Sequence, residues 1–191
     1  GTENVGPILL KGLKRLEYRG YDSAGVAIKT NSNNLYLQKR KGRVEGLDEE
    51  EFYNGNVGIG HTRWATHGKP SDKNAHPFSD CESEIAVIHN GIIDNFVSLK
   101  EELINQGHEF TSETDSEVIA HLLEDNYQGD MLEALRNTIQ RLEGSFAIVA
   151  IHKDEPELVV ARNESPLVIG VGANENLVSS DVPAILDYTN E

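Results

Sequence analysis

The chain has 191 residues, 38% of them hydrophobic, and carries a formal net charge of -15 from 32 acidic against 17 basic residues. That length suffices for one domain with a full core, and the acidic balance speaks against nucleic acids and anionic membranes, whose phosphates are met by basic faces. No run approaches the roughly 18–20 consecutive apolar residues of a membrane span, and Gly1-Thr2-Glu3-Asn4 is not the basic start of a targeting segment. A soluble, cytoplasmic protein with no nucleic-acid or membrane partner is expected.

In chain order, Pro7 to about Tyr18 reads as an amphipathic helix, with Leu9, Leu13 and Leu16 on one face and Arg19-Gly20 at its end. Val26–Ile28 and Leu35–Lys39, separated by Asn31-Ser32-Asn33-Asn34, read as a hairpin. The apolar stretch Asn56-Val57-Gly58-Ile59-Gly60 enters His61-Thr62-Arg63-Trp64-Ala65-Thr66-His67-Gly68, which has the residue mixture of a binding loop. After Pro70 and Pro77, Ile85-Ala86-Val87-Ile88-His89 reads as a strand running into Asn90-Gly91, a turn dipeptide. Helices are predicted over about 94–106 with Gly107 as stop, over about 115–125 behind the capping-box string Thr114-Asp115-Ser116-Glu117, and over 130–142. Phe146–Ile151, Leu158–Ala161, Leu167–Val171 and Leu177–Ser179 complete the chain as short strands. Helices and strands fall in blocks, which predicts an α+β fold of layered antiparallel sheets with helices on their faces.

Cys81 is the only cysteine, so an intramolecular disulfide is impossible; its neighbours Asp80 and Glu82 work against a thiolate, which makes it structural or incidental. The seven histidines show no metal-ligand spacing, and neither a metal nor an organic cofactor is expected. Arg63 is the foremost candidate for chemistry, because a guanidinium fork grips a planar carboxylate with two parallel hydrogen bonds. An α-amino acid fits that partner, and Asp115 can then either accept its ammonium group or simply start a helix. Thr66 and His67 can line the same pocket, and Trp64 can cover it. Asn90-Gly91 is either a hairpin turn or a pair of donors, side-chain amide and glycine N–H, for a tetrahedral oxyanion. Arg19 is either a basic helix end or part of a site.

Five strings occur together and in order: Leu16-Glu17-Tyr18-Arg19-Gly20-Tyr21-Asp22-Ser23-Ala24-Gly25, the His61–Gly68 run, Asn74-Ala75-His76-Pro77, His89-Asn90-Gly91-Ile92-Ile93, and Ser112-Glu113-Thr114-Asp115 with Glu117-Val118-Ile119. They resemble the glutaminase domain of the isomerizing glutamine:fructose-6-phosphate aminotransferases, across essentially the whole chain. Other class II amidotransferases, such as the phosphoribosylpyrophosphate enzymes, differ at Tyr18-Arg19-Gly20-Tyr21.

The resemblance implies an N-terminal-nucleophile hydrolase fold, a four-layer αββα sandwich with two antiparallel sheets. It implies that Arg63 binds the glutamine carboxylate, that Thr66 and His67 line the site, that Asp115 takes the α-ammonium and that Trp64 closes over the ligand. Asn90 and Gly91 match the oxyanion hole, Arg19 supports the nucleophile's end, and His76 and His89 match motif positions without an assigned step. The family's nucleophile is an N-terminal cysteine whose own α-amino group moves the proton; the sequence begins at Gly1 and lacks it. Residues 1–191 are therefore expected to be a type 2 amidotransferase domain short of its first residues and its C-terminal end. Two sugar-isomerase domains, absent from this chain, would pass the ammonia to fructose 6-phosphate and give glucosamine 6-phosphate, in a full-length homodimer whose other substrate is L-glutamine. The alternatives are the glutaminase domain of another class II amidotransferase and a non-catalytic amino-acid-binding module.

Overall fold

The computed structural model describes residues 4–48, 54–65 and 68–189. Asn4 caps helix α1 (Val5–Leu16) by accepting the Gly6 N–H at 3.2 Å, so the helix starts two residues before Pro7. It tightens into a 3-10 turn over Glu17–Arg19. Strands β1 (Ser23–Lys29), β2 (Leu35–Lys41) and β3 (Val57–Arg63) form an antiparallel sheet in the order β2-β1-β3. A second antiparallel sheet orders β4 (Phe78–Ser79), β5 (Ile85–Ile93), β6 (Gly144–His152) and β7 (Val159–Asn163) as β4-β5-β6-β7. Helices α2 (Phe96–Gln106), α3 (Glu117–Asn126) and α4 (Met131–Ile139) lie between β5 and β6 in sequence, and the hairpin β8 (Val168–Val171), β9 (Asn176–Ser179) follows β7.

Strand alternation sets the layers. On β1, Ala24 and Val26 pack with Leu10 and Leu13 of α1, while Ala27 turns the other way and meets Ile59, Ala86, Val149 and Ile151 between the sheets. On the second sheet, Ile85, Val87, Ile148 and Ala150 face Leu99, Leu103, Val118, Ile119 and Leu135 of the three helices. The result is α1, sheet, sheet, then α2–α4: the four-layer αββα sandwich that the family resemblance implies. Each fully buried large apolar side chain in these layers contributes roughly 1.5–3 kcal/mol.

Two helix boundaries follow the predicted signals. Gly107 ends α2 with φ +107° and its N–H on Ile104 O at 3.1 Å, and Asp130 caps α4 by accepting the Glu133 N–H at 3.0 Å.

Three local expectations are corrected. The His61–Gly68 run is not all loop: β3 continues through Arg63, carrying His61 and Arg63 on one buried face. Asn90-Gly91 is not a turn, because β5 runs on to Ile93, with Asn90 opposite Ala147 and Gly91 opposite Phe146. The capping box at Thr114–Glu117 does not form. Helix α3 starts at Glu117, whose carboxylate instead accepts the Thr111 and Ser112 N–H groups at 2.8 and 2.7 Å, while Asp115 accepts the Ile93 N–H at 2.9 Å.

Candidate active site

Period-two geometry carries the site. Because Ile59 faces the second sheet, His61 and Arg63 on the same strand do too; because Ala86 and Ile88 face the first sheet, so does Asn90. His61 Nε2 and Asn90 Oδ1 accordingly meet across the sheets at 2.9 Å. Burial pushes the His61 imidazole down to about 4, so the ring is neutral near pH 7. With Nε2 donating to Asn90 Oδ1, the Asn90 NH₂ group is directed away from His61. His76 stacks on His61 with ring centroids 4.1 Å apart, and burial holds it well below the usual histidine range.

The opposite face of β5 carries His89, whose Nδ1 lies 2.8 Å from Ser116 Oγ. That bond and the Ile93 N–H to Asp115 tie the segment before α3 onto β5. Asp115 is only 4% exposed, and Arg63 only 5%. Burial disfavours the charged Arg63 guanidinium, and the carboxylates of Asp22 and Asp115 oppose that by favouring it. Arg63 Nη2 donates to Gly68 O at 3.2 Å. Asp22 braces the same corner: its side chain accepts from Ala65 N and from Ser23 Oγ, and its own N–H donates to Arg63 O at 3.1 Å. Asn74 joins the turn after Gly68 to the 112–115 segment, donating to Lys69 O at 2.9 Å and Glu113 Oε2 at 3.1 Å and accepting the Glu113 N–H at 2.9 Å.

A cavity of about 400 Å³ opens between the layers. Its polar part is lined by Arg63, Asn90, Gly91, Asp115 and Arg19, with Trp64 at the rim; Leu9, Leu13, Val149, Leu177 and Ile185 line its apolar part. Trp64 is 61% exposed and meets Tyr21 edge to face at 5.5 Å. Arg19 is held from the far side, by Ser180 Oγ and by Asp181 at 3.6 Å. The fold thus brings together Arg19, Arg63, Trp64, Asn90, Gly91 and Asp115, while Thr66 and His67 lie outside the described residues. Cys81 is not among the lining residues; it sits in the turn between β4 and β5.

Sequence reasoning left His61 and Ser116 without a role and passed over Asp22. The sequence does carry a signal for His61, since residues two apart in a strand share a face and Arg63 is a candidate ligand group. Nothing local marks Asp22, because its partners Arg63 and Ala65 come from another strand. Chemically, a cation fork and a carboxylate bound one cavity, with an amide donor between the sheets and, among the described residues, no cysteine in its lining.

A family profile described as a glutamine amidotransferase domain matches residues 61–187. The chain is 54% identical over 193 residues to the glutamine–fructose-6-phosphate aminotransferase (isomerizing) of Caldanaerobacter subterraneus, covering 99% of this chain and 32% of that protein. The Thermus thermophilus protein of the same name is 53% identical over 99% of the chain, and the Thermococcus kodakarensis one 53% over 100%. The chain thus spans about a third of the length of the curated relatives it matches, 32% in the first case. Among solved structures, the glutamine phosphoribosylpyrophosphate amidotransferase from B. subtilis, complexed with ADP and GMP, superposes with a TM-score of 0.84 at 28% identity, covering 99% of this chain and 42% of that one. A structure described as the allosteric regulatory enzyme of purine biosynthesis gives 0.84 at 29% identity, over 96% of this chain and 41% of that one.

Proposed function

The chain belongs to the glutamine amidotransferase domain family, and on that premise we propose that its cavity binds L-glutamine and releases glutamate and ammonia. The observation that carries this reading is the pairing of Arg63 and Asp115, both buried, at the polar part of one cavity. A zwitterionic amino acid offers a carboxylate to the guanidinium fork and an ammonium to the carboxylate, and its side-chain amide then extends toward Asn90 and Gly91. As the amide carbonyl becomes tetrahedral, an amide N–H and a glycine N–H are suited to the developing oxyanion. His61 holds the Asn90 amide in register, Arg19 supports the nucleophile's end, and Trp64 with Thr66 and His67 completes the wall of the glutamine site.

Attack is assigned to a cysteine carried at the amino terminus of the natural protein, as the resemblance implies; Cys81, outside the cavity lining, is not positioned for it. The thiolate adds to the glutamine amide carbon, the α-amino group passes the proton to the leaving ammonia, and water then releases glutamate from the thioester. The ammonia converts fructose 6-phosphate to glucosamine 6-phosphate in the full-length protein. What supports that acceptor is the shared name of relatives 54% and 53% identical over nearly the whole chain. The reading further takes the full-length protein as a cytoplasmic homodimer that needs neither metal nor organic cofactor for this reaction.

Glutamate release by the natural full-length protein tests the reaction, and no release would overturn it. Two variants test the binding mode. Arg63→Lys keeps the charge but loses the fork, so kcat/KM for glutamine should fall about 5- to 150-fold, roughly 1–3 kcal/mol of transition-state binding and the size of a charge-assisted hydrogen bond. Asp115→Asn keeps an oxygen for the Ile93 N–H but loses the charge, and should cost glutamine about the same. With an analogue that keeps the carboxylate and amide but lacks the α-amino group, Asp115→Asn should cost little, because its ionic partner is already gone. Equal losses on both substrates would make Asp115 a brace for β5 and not a ligand-binding group.

A further inference from the structure

On the helical side of the second sheet, away from the glutamine cavity, four side chains from three segments converge. Cys81 comes from the β4–β5 turn, His108 follows the glycine that ends α2, and His121 and Glu124 are three apart on α3 and so share a face. We propose that Cys81 Sγ, His108 Nδ1, His121 Nδ1 and Glu124 Oε2 form a binding site for one zinc-class divalent cation. This proposal does not depend on the glutamine reading.

Three of four donor spacings match those of a tetrahedral ligand set, and the fourth is a few tenths of an ångström shorter. His108 Nδ1 lies 3.0 Å from Glu124 Oε2 and 3.5 Å from Cys81 Sγ; His121 Nδ1 lies 3.3 Å and 3.6 Å from the same two atoms. Zinc bonds of about 2.0–2.3 Å put the corners of a tetrahedron roughly 3.3–3.8 Å apart. His108 Nε2 lies 2.9 Å from Asp125 Oδ1, on the side of the ring away from the other three donors. The Asp125–His108 pair has the form of the outer carboxylate that fixes the tautomer of a metal-bound histidine.

His121 is 1% exposed, its Nε2 lacks a hydrogen-bond partner, and the nearest carboxylate oxygen there, Glu117 Oε1, is 4.0 Å away. Burial works against the Glu124 carboxylate, but the Cys81 N–H and His121 outweigh it and hold the group ionised. Cys81 is exposed, which gives a metal its way in. Sequence spacing spoke against a metal because the donors come from positions 81, 108, 121 and 124; only the fold brings them together. A cation there would clamp α3 to the β4–β5 turn and to the end of α2. The opposite end of α3 adjoins Asp115 and Ser116 in the cavity, so the clamp would stiffen the helix that presents them.

The test is cobalt(II) titration of the reduced, chelator-stripped natural protein, followed by displacement with zinc. One equivalent should bind with tetrahedral visible bands and a thiolate charge-transfer band, and zinc should abolish both. Cys81→Ser should remove that charge-transfer band, which also separates it from any signal of other cysteines, and His108→Ala should weaken binding at least tenfold. Asp125→Asn, a change at the surface, should weaken it about 10- to 100-fold while leaving the protein folded. Zinc should raise the thermal midpoint of the wild-type protein and not that of Cys81→Ser. Absence of stoichiometric binding at micromolar cobalt, or a charge-transfer band that survives Cys81→Ser, would overturn the site and leave a hydrogen-bond network only.

Discussion

Asn90→Ala in the natural full-length protein is expected to lower kcat for glutamate release by about 10²–10³ with KM nearly unchanged, the loss that follows removal of one preorganised oxyanion donor. The expectation rests on how the amide is held. Asn90 lies on the inter-sheet face of β5, and His61, kept neutral by burial with its imidazole pushed down to about 4, engages Oδ1 at 2.9 Å. An amide fixed at its oxygen has only its NH₂ group left to offer the substrate. Asn90→Ala also strands the His61 N–H and should cost about 1–3 kcal/mol of stability, so the rate must be expressed per folded protein. Asn90→Asp separates the two effects. It keeps an oxygen for His61 and nearly the same shape but carries no N–H, so kcat should fall as far as in the alanine variant while the stability loss is smaller. A near-normal kcat for Asn90→Asp would remove Asn90 from the reaction.

The elements were legible where the signal was local. The hairpin of β1 and β2, the Gly107 stop of α2 and the Asp130 cap of α4 each depend on residues within one turn of the boundary. Misreadings fell where long-range partners outbid local ones. Asn-Gly between apolar runs favours a turn, but continuous pairing of β5 with β6 from Ile85 to Ile93 holds it extended. Thr114-Asp115-Ser116-Glu117 has the composition of a capping box, yet Asp115 is drawn to the Ile93 N–H and Glu117 to Thr111 and Ser112. Both corrections lie at the cavity.

The candidate site was legible as residue types and illegible as geometry. Arg63 and Asp115 could be paired by chemistry, but the bracing of Arg63 by Asp22, and of Asn90 by His61, depends on which strands lie side by side. The same holds for Cys81 and His108, separated by 27 positions and set against α3 only by the packing of α2 and the β4–β5 turn. Local order in sequence predicts elements, whereas chemistry here is assembled by register and layer.

Gly91→Ala is expected to cost about 2–6 kcal/mol, enough to unfold a marginally stable domain. Two contributions add. Gly91 has φ +128°, a conformation that strains any residue with a Cβ by roughly 1–3 kcal/mol. A Cβ there would also stand 2.0 Å from Ser145 O and 2.7 Å from Ser145 C, both backbone atoms of the neighbouring strand β6. A side chain could rotate aside; these atoms cannot move without breaking the register of Gly91 with Phe146 and Asn90 with Ala147, and overpacking of this kind costs about 1–3 kcal/mol. Gly107→Ala is the matched control, because Gly107 has φ +107° but nothing within 4 Å of the added carbon, so it carries the conformational cost alone. Denaturant unfolding of the two variants should therefore differ by the overlap term, with Gly91→Ala the less stable. Equal losses would mean that β6 yields at Ser145, and that Gly91 is held at the cavity by its backbone conformation and not by the close approach of its neighbour.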